Sequence, residues 1–272
     1  MTNEELKRVF DTLEKVFATL GIDYFLIGAL ARQEWYGKAD LNFRMTKDVD
    51  YAVLVGSHDE YRSIKSFLVA NEGYTESTGN AFALITPDGI PVDILPFGEI
   101  ESDGNVEIEG TGMTSIRVDG MKEVYLHGTE LLRLDTGNYF KVATLTGIAL
   151  LKFIAYDDRP ENRQKDAIDI GNIVMNFFNL HDNLIYEYHS DLFGEEEKQL
   201  ENIGAVALGR EMRKIAGGNS GLSVRLEKML ETHIDKAEKS EFVRLIVRET
   251  KKDVETVLGY LKDILWGLAD IP

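Results

Sequence analysis

Asp48 and Asp50 stand one residue apart at the mouth of the apolar run DVDYAVLV, and Asp93 stands in a second such run, PVDIL. Side chains two apart on a strand share a face, so Asp48 and Asp50 would converge on one point in space. Like charges that close repel each other, and a cation is the usual compensation. If the strand carrying Asp93 neighbours the first, three hard oxygen ligands meet, without His or Cys, and that set suits Mg²⁺ or Mn²⁺ better than zinc. About twenty residues earlier, the apolar run DYFLIG ends in Gly28 and ALARQEWYG follows with helical character. A strand that turns into a helix at glycine presents backbone N–H groups and the positive end of a helix dipole, which is a cradle for phosphate, with Gly28 and Ala29 lining it. A carboxylate-held metal beside a phosphate cradle describes phosphoryl or nucleotidyl transfer. Each feature has a plainer reading: an acidic strand end, a steric glycine, an aspartate that opens a strand.

A further group lies in LLKFIAYDDRPENRQKDAIDI, residues 150–170. Asp166 and Asp169 are three apart and share one helix face, and Lys152 sits on the preceding helical run, available to a phosphate or to an acidic partner. The competing assignment is an ion pair that orients two helices. Arg159, Arg163 and Lys165 form a charged loop between them, able to grip a triphosphate or an acceptor, or simply solvated.

The elements that would position these groups follow from periodicity. Leu6, Val9, Phe10, Leu13, Val16, Phe17 and Leu20 form one apolar stripe that Gly21 stops, predicting a first helix. HDEYRSIKSFLVANEG predicts another, with Tyr61, Ile64, Phe67 and Leu68 inward. NAFALITPDGIPVDILPFG reads as two strands around a TPDG turn, hence a hairpin. Residues 113–140 are β-like and turn-rich, and from Val142 the pattern is helical almost to the end. The expectation is therefore an α+β chain: an α/β-like core with a small mixed sheet over residues 1–140, then a helical region over 141–272 that completes the site. GAVALGRE, residues 204–211, has the glycine spacing of a P-loop, but Arg210 and Glu211 occupy the Lys and Ser/Thr positions, so helix packing is the better reading. The GGNSG stretch at 217–221 reads as a loop between helices, and Trp35 and Tyr36 as buried aromatics rather than a base-stacking pair.

Composition sets limits. The chain has 272 residues, is 44% hydrophobic and carries a formal charge of -17, which disfavours a broad basic surface for duplex nucleic acid or anionic lipid. Without cysteine there is no disulfide, thiolate nucleophile or Cys-ligated zinc. MTNEELKRVF lacks an apolar signal core, and the run 142–156 is too short to span a bilayer and contains Lys152, so a cytoplasmic protein without membrane attachment is expected.

LIGALA, TKDVDYAVLV and PVDIL together resemble the nucleotidyltransferase superfamily of the DNA polymerase β type, whose pattern is a hydrophobic residue, Gly, a small residue, a helix, a D-x-D strand and a third Asp on a later strand. Ala29 stands where that family usually has Gly or Ser, removing a hydroxyl contact but not the backbone N–H. LLKFIAYDDRPENRQKDAIDI is similar to the later motifs of AbiEii-type nucleotidyltransferases, the toxins of type IV toxin–antitoxin systems. The resemblance covers roughly residues 22–172. It implies transfer of NMP from an NTP to a hydroxyl, with Asp48 and Asp50 holding metal, Asp93 completing the second metal site and accepting the nucleophile's proton, Gly28 and Ala29 cradling phosphate, Lys152 contacting the phosphates, and Asp166 and Asp169 ordering Lys152 or the acceptor. The acceptor stays open among tRNA, protein and a cationic small molecule such as an aminoglycoside, and the toxin likeness implies an antitoxin partner. A non-catalytic relative that binds nucleotide or protein through the same cleft is the rival of a different class.

Overall fold

The computed structural model describes residues 2–37, 48–194 and 198–270. The chain divides into two compact units, Met1–Thr144 and Leu145–Pro272. The architecture is α+β, with a mixed seven-stranded sheet in the first unit and helices throughout the second.

In the first unit α1 (Asn3–Leu20) starts on a capping box, in which Thr2 Oγ1 accepts from Glu5 N–H and the Glu5 carboxylate accepts from Thr2 N–H, and it stops at Gly21, φ 70°. Its apolar stripe, Val9, Phe10, Leu13, Val16 and Phe17, is buried as the spacing requires. β1 (Asp23–Ile27) runs directly into α2 (Gly28–Gly37), and β2 (Val49–Leu54) precedes α3 (His58–Glu72). Tyr61, Ile64 and Leu68 of α3 are buried, whereas Phe67 is only half-buried. The short edge strand β3 (Thr75–Glu76) pairs with β4 (Ala83–Ile85), which forms the expected hairpin with β5 (Pro91–Phe97). The turn between them is closed by Gly89 N–H on Thr86 O and Thr86 N–H on Ile90 O, both 2.9 Å.

β6 (Asn105–Glu107) and β7 (Ser115–Arg117) form a separate small sheet. α4 (Met121–His127) then interrupts a region whose composition reads as β throughout. Its first turn places Met121 and Val124 in the core, and seven residues offer too few turns for a helical period to show in the sequence. β8 (Thr129–Arg133) and β9 (Tyr139–Ala143) complete the large sheet, so strand structure extends past Val142 and helix begins only at Leu145. The strand order is β3-β4-β5-β2-β1-β9-β8, with β2–β5 and β1–β9 parallel and the other pairs antiparallel. On one face, fully buried Tyr51 of β2 meets the rings of Phe10, Phe17, Tyr24 and Phe140 at 5.8–6.2 Å, mostly edge to face.

The second unit comprises α5 (Leu145–Asp158), α6 (Gln164–Leu180), α7 (Asp182–Tyr188), a 3₁₀ turn at Ser190–Leu192, α8 (Leu200–Ala216), α9 (Ser220–Lys236), a second 3₁₀ turn at Ala237–Lys239, α10 (Glu241–Thr250) and α11 (Val254–Ala269). α5 is apolar on nearly every side and buried, which is the behaviour of a central helix. GAVALGRE lies within α8, where its glycines serve packing: a Cβ on Gly209 would fall 3.0 Å from Gly267 Cα of α11, and one on Gly267 would fall 2.9 Å from Arg210 N. Arg210, 5% exposed, is held by the carboxylates of Asp191 and Asp270. Among the described residues no helix is long and apolar enough to cross a membrane.

Two expectations follow. Gly209→Val should cost the second unit about 3 kcal/mol or more by forcing α8 and α11 apart; denaturant melts check it, and a loss under about 1 kcal/mol would show that the crossing tolerates a side chain. His233 of α9 accepts burial against Phe242, with ring centroids 4.7 Å apart, and burial holds its pKa down to about 4. A histidine with a folded pKa below its unfolded value near 6.5 contributes stability that is complete above pH 6.5 and lost as pH falls towards 4. His233→Asn should flatten the melting temperature between those values relative to the parent chain, and an unchanged pH slope would refute the assignment.

Candidate functional site

Alternation along β2 separates Val49, Tyr51 and Val53, which join the aromatic core, from Asp50 and Ala52 on the opposite face. β2 lies between β1 and β5, and the register sets Asp50 opposite Ile27 on one side and opposite Asp93 on the other. The two aspartates therefore share a face on adjacent parallel strands, both half-buried. Asn80 Nδ2 donates to Asp93 Oδ1 at 3.2 Å, a contact with no motif-level signal in the sequence. Farther along the same face the surface turns apolar: Phe25, Phe97 and Tyr125 of α4 meet at 5.7–6.0 Å. Asp50 and Asp93 thus lie at one end of the face, and at the other end Tyr125 Oη donates to Asp23 Oδ2 at 3.0 Å.

Gly28 is at the end that carries Asp50 and Asp93. Its φ of 70° is left-handed, and a Cβ built on it would fall 2.8 Å from Asp50 Cγ and still nearer the carboxylate oxygen. Any side chain at position 28 would both strain the backbone and displace Asp50. Gly28 is required for two reasons at once, and the first turn of α2, with Ala29, opens directly beside the Asp50 carboxylate. α2 has no acidic residue in its first turn. Asp48 lies just before β2 and is exposed. The structure brings Gly28, Asp50 and Asp93 together and places Asp48 at the strand entrance; among the described residues no three Asp, Glu or His side chains are already gathered tightly enough to hold a metal ion.

The second predicted group is assembled wholly within the helical unit. Lys152, in the middle of α5, reaches Asp166 Oδ1 at 2.7 Å and Asp169 Oδ2 at 2.8 Å, and all three side chains are 11–13% exposed. Burial by itself would lower the Lys152 pKa, but the two carboxylates outweigh it and hold the ammonium above its usual value. Asp166 sits in the first turn of α6, where the helix dipole favours an anion, and Arg163 Nη1 approaches it at 3.7 Å. Arg159 pairs with Asp158 at 2.9 Å. Lys152 is therefore a buried cation bridging two helices. Trp35 and Tyr36 are buried, and Trp35 Nε1 donates to Ala143 O at 2.8 Å, so neither offers a face to a base.

Buried polar groups that periodicity could not reveal include His189, whose Nε2 lies 2.8 Å from Glu211 Oε1, and Arg210 with its two aspartates. Both partnerships join residues about 20 to 60 apart, and no local pattern encodes such a pairing.

Lys152→Met keeps the packing of the stem but leaves two facing carboxylates without their cation, so unfolding free energy should fall by about 3 kcal/mol. Denaturant titration measures this, and adding Asp166→Asn with Asp169→Asn should recover much of the loss. A change below about 1 kcal/mol together with weakened nucleotide binding would show that Lys152 serves a ligand rather than the helix pair.

No family model matches the chain, and no curated protein matches it either.

Proposed function

We propose that the chain is a divalent-metal-dependent nucleotidyltransferase that moves NMP from an NTP to a hydroxyl acceptor. The observation that carries this reading is the register of Asp50 beside Asp93, with the φ-positive Gly28 pressed against the Asp50 carboxylate. Two carboxylates on neighbouring strands have no packing use for each other, and the strand-to-helix turn beside them is the kind of backbone that accommodates phosphate.

Asp50 and Asp93, with Asp48 from the strand entrance, are the oxygen donors that would hold Mg²⁺ or Mn²⁺. When bound, that ion would neutralise charge building on the phosphates. Gly28 and Ala29 receive phosphate oxygens on backbone N–H groups. The acceptor oxygen forms its bond to the α-phosphorus as the bond from that phosphorus to the bridging oxygen breaks. Pyrophosphate leaves with the electron pair, and the hydroxyl proton passes to Asp93 and on to water. The acceptor is a tRNA, a protein or a small cation, with the charge of -17 favouring the last, and an antitoxin partner belongs to the toxin form of the reading.

The test is pyrophosphate release and label transfer from α-labelled NTPs in Mg²⁺ and in Mn²⁺, with candidate acceptors in turn. Asp50→Asn and Asp93→Asn should each slow turnover roughly a thousandfold while leaving the melting temperature nearly unchanged. Variants within about tenfold of the parent would overturn the assignment, and nucleotide binding with no pyrophosphate from any acceptor would favour a non-catalytic binder.

A further inference from the structure

Basic residues are the minority in this chain, 30 Lys and Arg against 47 Asp and Glu, yet three of them gather on one face of α9. Arg225, Lys228 and Lys236 follow helical spacing with Thr232 between them, and all four line a cavity of about 410 Å³ that Tyr156 and Asp157 of α5 close from the other side. Asp157 is the only carboxylate in the lining, and Arg225 Nε donates to it at 2.8 Å. The cavity keeps a surplus of two positive charges, because Lys228 and Lys236 form no ion pair among the described residues. The helix dipole accounts for Lys236, in the last turn, but not for Arg225 and Lys228 in the body of the helix. Lys236 also borders an adjacent cavity lined by Asp253 and Glu255, which places it at the rim and leaves Lys228 as the more committed group.

From this arrangement we infer that the helical unit carries an anion site for the polyphosphate moiety of a small molecule. The cations extend along about 16 Å of helix, longer than one phosphate needs and suited to two or three in a row. The cavity lies at the small end of the range for bound small molecules and is concave, whereas a nucleic-acid strand calls for an open groove. Thr232 supplies a hydroxyl beside the cations, and Arg225, paired with Asp157, adds a positive charge to the cavity wall.

The experiment is calorimetric titration of the full chain with inorganic tripolyphosphate, orthophosphate and a single-stranded RNA oligonucleotide, at low ionic strength and in EDTA, so that metal-dependent binding elsewhere is silent. Tripolyphosphate should bind at one site and orthophosphate at least tenfold more weakly. Both residues are exposed, so Lys228→Gln with Lys236→Gln should leave the melting temperature unchanged and weaken tripolyphosphate at least tenfold. Asp50→Asn should leave that affinity as it is, which separates this site from the proposed transferase site. No saturable binding, binding indifferent to the lysine pair, binding lost in Asp50→Asn, or RNA bound more tightly than tripolyphosphate through the same lysines would each overturn the inference.

Discussion

The absence of a side chain at Gly28 is the condition on which the proposed chemistry depends. Asp50 can lie against the β1–α2 turn only because nothing projects from that Cα, and the turn can be made within one residue only because glycine accepts a φ of 70°. The consequence is a carboxylate touching the opening of a helix, at the end of a sheet face that continues into the cluster of Phe25, Phe97 and Tyr125. The apolar part of the face anchors β1, β2 and β5, and the strands in turn hold the register that sets Asp50 beside Asp93. Half-burial keeps these carboxylates within reach of solvent and ligand, while the sheet removes their freedom to separate.

The helical unit solves a different problem, the burial of cations in a chain that is mostly negative. Lys152 and Arg210 are each placed between two aspartates, with Lys152 joining two helices and Arg210 tying α8 to the end of α11 and the 3₁₀ turn. Such groups add little net stability over an apolar alternative, but losing one partner is costly, so they enforce one arrangement of helices over others. The glycine contact between Gly209 and Gly267 acts in the same direction, since only backbones that close can exclude water from the crossing. Arg225, Lys228 and Lys236 contrast with both: Arg225 has Asp157, while the two lysines stay at the surface beside a cavity. Among the described residues Lys228 and Lys236 are neither buried nor ion-paired, which leaves them available to a ligand.

The residues by themselves determined the order of elements and the class of fold. Apolar stripes, the capping signals around α1 and the TPDG turn are short-range features, and each acts within a few residues of where it is written. They also marked Gly28, Asp50, Asp93, Lys152, Asp166 and Asp169 as worth attention. α4 escaped because a helix of seven residues has no period to read, and the start of the helical region was placed a few residues early because β9 and α5 are both apolar across Val142–Leu145. What only the tertiary structure decided is which of these groups meet. β2 pairs on one side with β1, which precedes it in the chain, but on the other side with β5 rather than with β3 or β4, the Asp50–Asp93 register depends on that second pairing, and the carboxylate against Gly28 comes from 22 residues away. Lys152 could have faced a phosphate or an acid on sequence grounds, and the packing of α5 on α6 gave it two aspartates. The physical reason is common to all of these: periodicity reports which side of an element is buried, but hydrophobic burial is non-directional and does not specify the partner, which is selected when strands and helices compete to cover one another.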